Sequence, residues 1–511
     1  MTRTATLLLL LAALQGMAQQ ATRVEIIGAD EWRFDERIAP GAQRLKGNVR
    51  FRHDRALMWC DSAYLYNDQR VEAFGHVRID QGDSLRMRGD RLSYDGQQRI
   101  ARMEGRVSLE DGRMRLEAPS LEHDLRSRRA TYHEGAVITG QEGDVLTSQR
   151  GTYLTGEKLF LFSRDVRITH PERIITGDTL HYGMATGVAE FFGPTTILLT
   201  GDSTIIRTRR GTYDTKNDQA RSTRRSSVEH RGRSLAGDTL HYDKATGIGL
   251  AWGNVAITDT AGKITSSGQH GRYNERTDRS MITGRALLVM AMEDDSLHLH
   301  GDTLFTAPQQ VTDSAGGTVT HRHVLAYRQV RFHKRDMQGT CDTLTYSGAD
   351  SLIRMFHRPV LWSGTDQISG GHIRITLRDG RAHRMYVEQD AFLVSRLDST
   401  RYDQVAGRQM TGFFDEDGLR RLVAEGNSRT VFHVREQKDG EEENIGVNVA
   451  ECGRIAVELA DGEVAVVTFL DRPDAVLHPT EKLPEDAAIL EGMVWRERER
   501  PVDRADIFRK P

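Results

Sequence analysis

Gly177-Asp178-Thr179-Leu180-His181-Tyr182 is a six-residue phrase that the chain repeats unchanged as Gly237-Asp238-Thr239-Leu240-His241-Tyr242. The flanks repeat as well. Ala185-Thr186-Gly187 and the apolar Ile197-Leu198-Leu199 follow the first copy; Ala245-Thr246-Gly247 and Val255-Ala256-Ile257 follow the second. Looser versions stand at Cys60-Asp61-Ser62-Ala63, Gly89-Asp90-Arg91-Leu92-Ser93-Tyr94, Gly301-Asp302-Thr303-Leu304 and Cys341-Asp342-Thr343-Leu344-Thr345-Tyr346. Between them fall Gly151-Thr152-Tyr153, Gly211-Thr212-Tyr213 and Gly271-Arg272-Tyr273. The unit is therefore roughly thirty residues, and self-similarity at a fixed period marks an architecture grown by adding units.

Within a unit the apolar period is two. In Gly89 to Gly96, Leu92 and Tyr94 share one face of a strand, and Asp95-Gly96 reads as a turn. Strands are predicted over 99–104 and 106–110, on either side of Gly105. After the repeat glycine an apolar pair recurs: Val49/Phe51, Val77/Ile79, Val107/Leu109, Val166/Ile168 and Val255/Ile257. The residue inside each pair is small or polar, so one strand face is dry and the other largely wet. Past the N-terminus no amphipathic helix longer than two turns is apparent. The expected fold is all-β: an elongated, repeat-built β-jellyroll with two facing antiparallel sheets. A β-solenoid fits the alternation too, but needs a tighter register than these variable spacings.

Composition narrows the class. The 511 residues are 38% hydrophobic and 28% charged, and the 48 glycines bring the apolar share near that of ordinary globular chains. With 70 basic and 73 acidic residues the net charge is −3, which argues against a nucleic-acid partner. Arg3, the apolar run Leu7 to Leu14 and the small residues Gly16 and Ala18 predict a signal peptide over 1–18 and a water-soluble, exported mature chain. Three scattered cysteines (Cys60, Cys341, Cys452) do not make a disulfide framework. A short lead-in to about Gly41 precedes repeats that run to 395. Weaker β repeats are expected over 396–470, and a proline-rich irregular tail over 471–511.

Signatures of catalysis are missing: there is no phosphate loop, no nucleophile elbow, no zinc-protease helix and no complete calcium loop. The expectation is a protein that is not an enzyme, with no cofactor and no metal. The pairs His298/His300 and His321/His323 place two nitrogens on one strand face, short of a metal set. Arg207, Arg209, Arg210, Lys216, Arg221, Arg224, Arg225, Arg231 and Arg233 read as a charged solvent face, with an anion site as the rival. Asp178, Asp238 and Asp302 read as turn-capping carboxylates at strand starts. The remaining candidate is the apolar inner face. If the sheets splay, Val49, Phe51, Val77, Ile79, Val107, Leu109, Val166, Ile168, Val255 and Ile257 would line a groove for an aliphatic ligand.

The stretch Val49 to Ile79, with its strand, its Cys60-Asp61-Ser62 and its Val71-Glu72-Ala73-Phe74-Gly75-His76-Val77, resembles the OstA-like (LptA-type) family of lipopolysaccharide-transport jellyrolls. The cadence of later units is similar, over about residues 40–395. The chain looks like the long, soluble OstA-like proteins of the Bacteroidetes type. The resemblance implies a periplasmic jellyroll that shields lipid A acyl chains inside. It also implies partner jellyrolls that join edge to edge to form a bridge, and an outer-membrane assembly partner. The function expected is lipopolysaccharide binding and transport toward the outer membrane. The alternative is a structural or adhesive exported β-repeat protein with a closed core, which binds other proteins by strand addition.

Overall fold

A computed structural model describes residues 23–509 except 35, 38, 39, 83, 84, 113, 142, 293, 294, 313–315, 416, 417, 439, 440, 461, 462, 485 and 486. The predicted signal peptide lies outside these residues. The described chain is all-β, with antiparallel strands and three single 3-10 turns. No helix is long and apolar enough to cross a membrane. The chain divides into two units. One holds the residues up to Gly201 with Thr212–Lys216; the other holds Asp202–Gly211 and everything from Asn217.

In the first unit, strands of eleven or twelve residues follow one another as hairpins: Ala42–His53, Ala56–Tyr66, Arg70–Gln81, Leu85–Asp95, Ile100–Asp111 and Met114–Asp124. Each pairing skips register once, in mid-strand, as between Glu104 and Val107. There the backbone takes two left-handed residues in succession, Gly105 at φ 75° and Arg106 at φ 45°. Gly47-Asn48, Gly75-His76, Gly253-Asn254 and Gly284-Arg285 do the same. The double turn bends the strand without ending it. Each strand therefore contributes one half to each of two facing half-sheets, a jellyroll-like arrangement.

This corrects two sequence expectations. Residues 99–104 and 106–110 belong to one bent strand, because two positive φ values kink the backbone while pairing resumes on the far side. Asp178 and Asp302, like Asp61 and Asp90, sit in mid-strand at the corners rather than at strand starts, whereas Asp238 stands between Arg233–Gly237 and Thr239–Asp243, at a strand start as expected. Asp90 takes Arg106 from the neighbouring corner (Nη2 to Oδ1, 2.8 Å), and Asp61 takes His76 (2.8 Å). Asp238 donates its backbone N–H to Gly253 O (2.9 Å) and accepts from Asn254 Nδ2 (2.6 Å). Glycine is needed at the corner for its φ and for room: a Cβ on Gly105 would lie 2.7 Å from Asp90 Oδ2.

The lead-in also contributes structure. Glu25–Gly28 and Glu31–Phe34 are short strands that pair with Ala42–His53.

Candidate functional site

The ten residues predicted to line a groove all point inward, and all are buried: none is more than 6% exposed. Their side chains fill the space between the half-sheets. What varies along the sandwich is its mouth, the rim opposite the corners.

In the first unit the mouth is closed by the motif tyrosines. One half-sheet carries a register row Tyr94, Ala101, His123, Ala130, Tyr153, Phe160, Tyr182. From this row Tyr94 hydrogen-bonds His53 Nδ1 (2.5 Å), and Tyr153 donates to Asp111 Oδ2 (2.6 Å), which also holds Lys158 Nζ. Tyr182 donates to Asp144 Oδ2 (3.3 Å). His53 and Asp111 end strands of the facing half-sheet, and Asp144 lies in a turn on that side, so these bonds tie the two layers together. Burial raises all three phenols, Tyr182 to about 12, so they remain donors at neutral pH.

The second unit begins the same way. Tyr242 donates to both oxygens of Glu275 (3.0 Å each), beside Lys244 and Asp202. Next to it, Arg233 and Arg322 interlock with Asp259 and Asp278, and Tyr273, raised by burial to about 12, lies among them.

Beyond this cluster the seam stops. From Tyr273 the row runs Ser280, Thr306, Val324, then Tyr346. Thr306 stands where the preceding unit has Tyr242, so three small side chains separate two tyrosines. The facing row changes too, from Arg233 and Asp259 to Ile264, Met290 and Leu297. The Tyr346 hydroxyl makes no hydrogen bond to another described residue. With no polar bridge here, the layers leave an apolar cleft between Leu288, Met290, Leu297, Leu299, Tyr346 and Leu377. It encloses about 440 Å³ counting its solvent mouth. Met290, Met292, Tyr346 and Leu377 at the rim are half-buried. Methionine's unbranched chain makes this part of the rim pliant.

None of the ten predicted residues lines this cleft. In the sequence the cleft coincides with Thr306 in place of the motif tyrosine, a loss that Leu65 shares in the first unit.

The other sequence candidates separate. His300 Nδ1 bonds Ala286 O (2.6 Å), and His298 Nδ1 bonds Ser296 O (3.2 Å). Among the described residues no cluster of three metal-ligating side chains forms. Three members of the basic run are taken up in separate ion pairs: Arg207 with Glu229 (2.7 Å), Arg225 with Asp238 (3.5 Å), and Arg233 in the cluster above. The three cysteines are free and buried.

Two sheet edges are open among the described residues. Glu25–Gly28 and Glu31–Phe34 pair only with Ala42–His53, and expose Ile27, Trp32 and Phe34. In the second unit Glu463–Leu470 and Asp474–Pro479 pair only with Glu441–Ala460, and expose Val466, Val476 and Leu477. Unpaired backbone beside exposed apolar side chains is a template for strand addition.

Residues 21–178 match the family model described as OstA-like protein. Thirteen solved chains match the fold. One is the crystal structure of LptH, the LptA-homologous periplasmic component of the lipopolysaccharide transport device of Pseudomonas aeruginosa. It is 12% identical, with 28% of this chain and 95% of that chain covered and a TM-score of 0.22. A search of curated proteins finds no match.

Proposed function

We propose that this chain is a non-enzymatic lipopolysaccharide-transport jellyroll of the periplasm, which takes lipid A acyl chains between its half-sheets. The observation that carries the reading is the apolar gap at Met290, Leu297 and Tyr346 in a mouth otherwise bridged by tyrosines and charges. The OstA-like match over 21–178 supports the same role. Acyl chains enter at the gap and spread along the inner face past Ile257 and Val255. The positions Val49, Phe51, Val77, Ile79, Val107, Leu109, Val166 and Ile168 offer equivalent contacts in the first unit. Burying about 300 Å² of acyl surface is worth roughly 7–8 kcal/mol before ordering costs, enough for micromolar affinity. Partner jellyrolls add to the open edges by strand pairing.

The near-complete burial of the ten inner-face residues favours a second reading, a closed-core structural repeat protein that binds only through its edges. Extraction and mass spectrometry of lipids co-purified from a lipopolysaccharide-producing host separates the two. Lipid A species lost on Met290→Asp support transport; an extract without lipid supports the structural protein.

A further inference from the structure

The proline-rich C-terminal segment does not hang free. After the strand Asp474–Pro479 it turns back and runs over the outer face of the second unit, meeting strands that precede it by more than 200 residues. Three buried glutamines hold it. Leu490 N donates to Gln404 Oε1 (2.9 Å), while Gln404 Nε2 donates to Ala488 O (2.9 Å). Six residues on, Arg496 N donates to Gln367 Oε1 and Gln367 Nε2 to Val494 O, both at 2.7 Å. Arg500 then places Nε and Nη2 on Gln338 Oε1 (2.9 and 2.6 Å). The three amides share one face: the register row reads Gln338, Trp362, Gln367, Val394, Gln404. Val360–Ser363 and Asp366–Ser369 are accordingly buried on both faces.

The segment ends behind the cleft. Ile507 is fully buried, and the Phe508 ring lies 4.9 Å from the His300 ring and under the Arg285 guanidinium. His300 pairs in register with Leu287 and Arg331. Their chain neighbours Leu299, Leu288 and Phe332 point the other way, into the cleft. The tail thus backs the same three strands whose inner side chains form one wall of the apolar opening.

We propose that residues 487–509 are a latch: seated, the segment stiffens this wall and keeps the cleft shut, and lifting its last turn lets the wall flex and admit a ligand. The inference rests on the acyl-chain reading for its purpose but not for its mechanics. Two features make the segment releasable: it is tied by side-chain amides and an ion pair rather than a strand ladder, and it crosses the outside of the sheet, with Leu490 and Ile507 as its buried apolar anchors.

The test is thiol labelling of Leu299→Cys, a buried cleft residue, in a background of Cys341→Ala and Cys452→Ala. Native Cys60, buried in the first unit, is the internal control. Labelling by a maleimide is compared in the full chain, in a chain truncated after Glu481, and in Ile507→Asp/Phe508→Ala, which frees only the last turn should the truncation fail to fold. The latch predicts that position 299 labels at least about tenfold faster without the seated turn while Cys60 does not change. An unchanged rate at position 299, or a parallel rise at Cys60, overturns it. Acyl-chain binding measured alongside separates the claims. If the full chain takes no lipid but position 299 responds, the functional reading falls and the latch stands. If lipid binds and position 299 does not respond, the latch falls and the functional reading stands.

Discussion

Tyr153 and Asp111 are 42 residues apart in the chain, yet the phenol donates to the carboxylate at 2.6 Å across the two layers of the sandwich. Asp111 is almost wholly buried and also holds the half-exposed Lys158. Removing the carboxylate leaves a phenol and an ammonium without their acceptor. Asp111→Ala is expected to cost about 2–3 kcal/mol, and Tyr153→Phe only about 1 kcal/mol because it deletes a donor and leaves the ion pair. Urea denaturation of the two variants checks the order. Equal costs would show that the tyrosine, rather than the acid, organises the bridge.

The corners make a prediction whose sign changes between neighbours. Gly105 has φ 75° and no room for a Cβ beside Asp90, so Gly105→Ala is expected to destabilise by more than about 1 kcal/mol. Arg106 is also left-handed, at φ 45°, and its pair with Asp90 is exposed. Arg106→Gly is therefore expected to leave the melting temperature nearly unchanged, as relief at φ offsets the weak, exposed ion pair. Thermal melts of both variants measure the contrast.

Two buried groups give the units opposite responses to acid. Burial lowers His123 to about 4, with no partner at Nε2. Its folded value lies below the unfolded one, so the stability it permits is complete above about pH 6.5 and is lost as pH falls toward 4, by about 3 kcal/mol. Burial raises Asp366 to about 6 against the bond from Ser395. Its contribution is complete below about pH 4 and is lost as pH rises through 6, again by about 3 kcal/mol. His123→Leu should flatten the acid side of the first unit's melting profile. Asp366→Asn should raise the second unit's melting temperature at pH 7.5 and leave it nearly unchanged at pH 4. A profile insensitive to both substitutions would contradict the assigned burial.

Much of this was legible in the sequence. Alternating Leu92 and Tyr94, and the recurring Val107/Leu109 pair, specify half-buried strands because the side-chain period of a strand is two. The inner-face residues follow from the same rule. The corner was misread because sequence shows a glycine but not the second left-handed residue after it, which is Asn48, His76 or Arg106 with no common chemistry. The seam was half visible. Its tyrosines repeat, but their partners are a histidine, aspartates and a glutamate from 33 to 42 residues away. The cleft was only partly visible, since Thr306 breaks the phrase but Leu65 breaks it too. The C-terminal latch had no signal: its contacts are single glutamines on distant strands, and prolines suggest irregularity without saying where the segment lies.

The central claim is that an acyl chain occupies the apolar gap in the second unit. A photo-activatable residue at Met290, with matched probes at Val107 on the inner face and Arg78 on the outside, tests it by crosslinking in cells that make lipopolysaccharide. The prediction is a lipopolysaccharide adduct at position 290, a weaker one or none at 107, and none at 78. Adducts confined to position 78, or no adduct at any of the three, would contradict it.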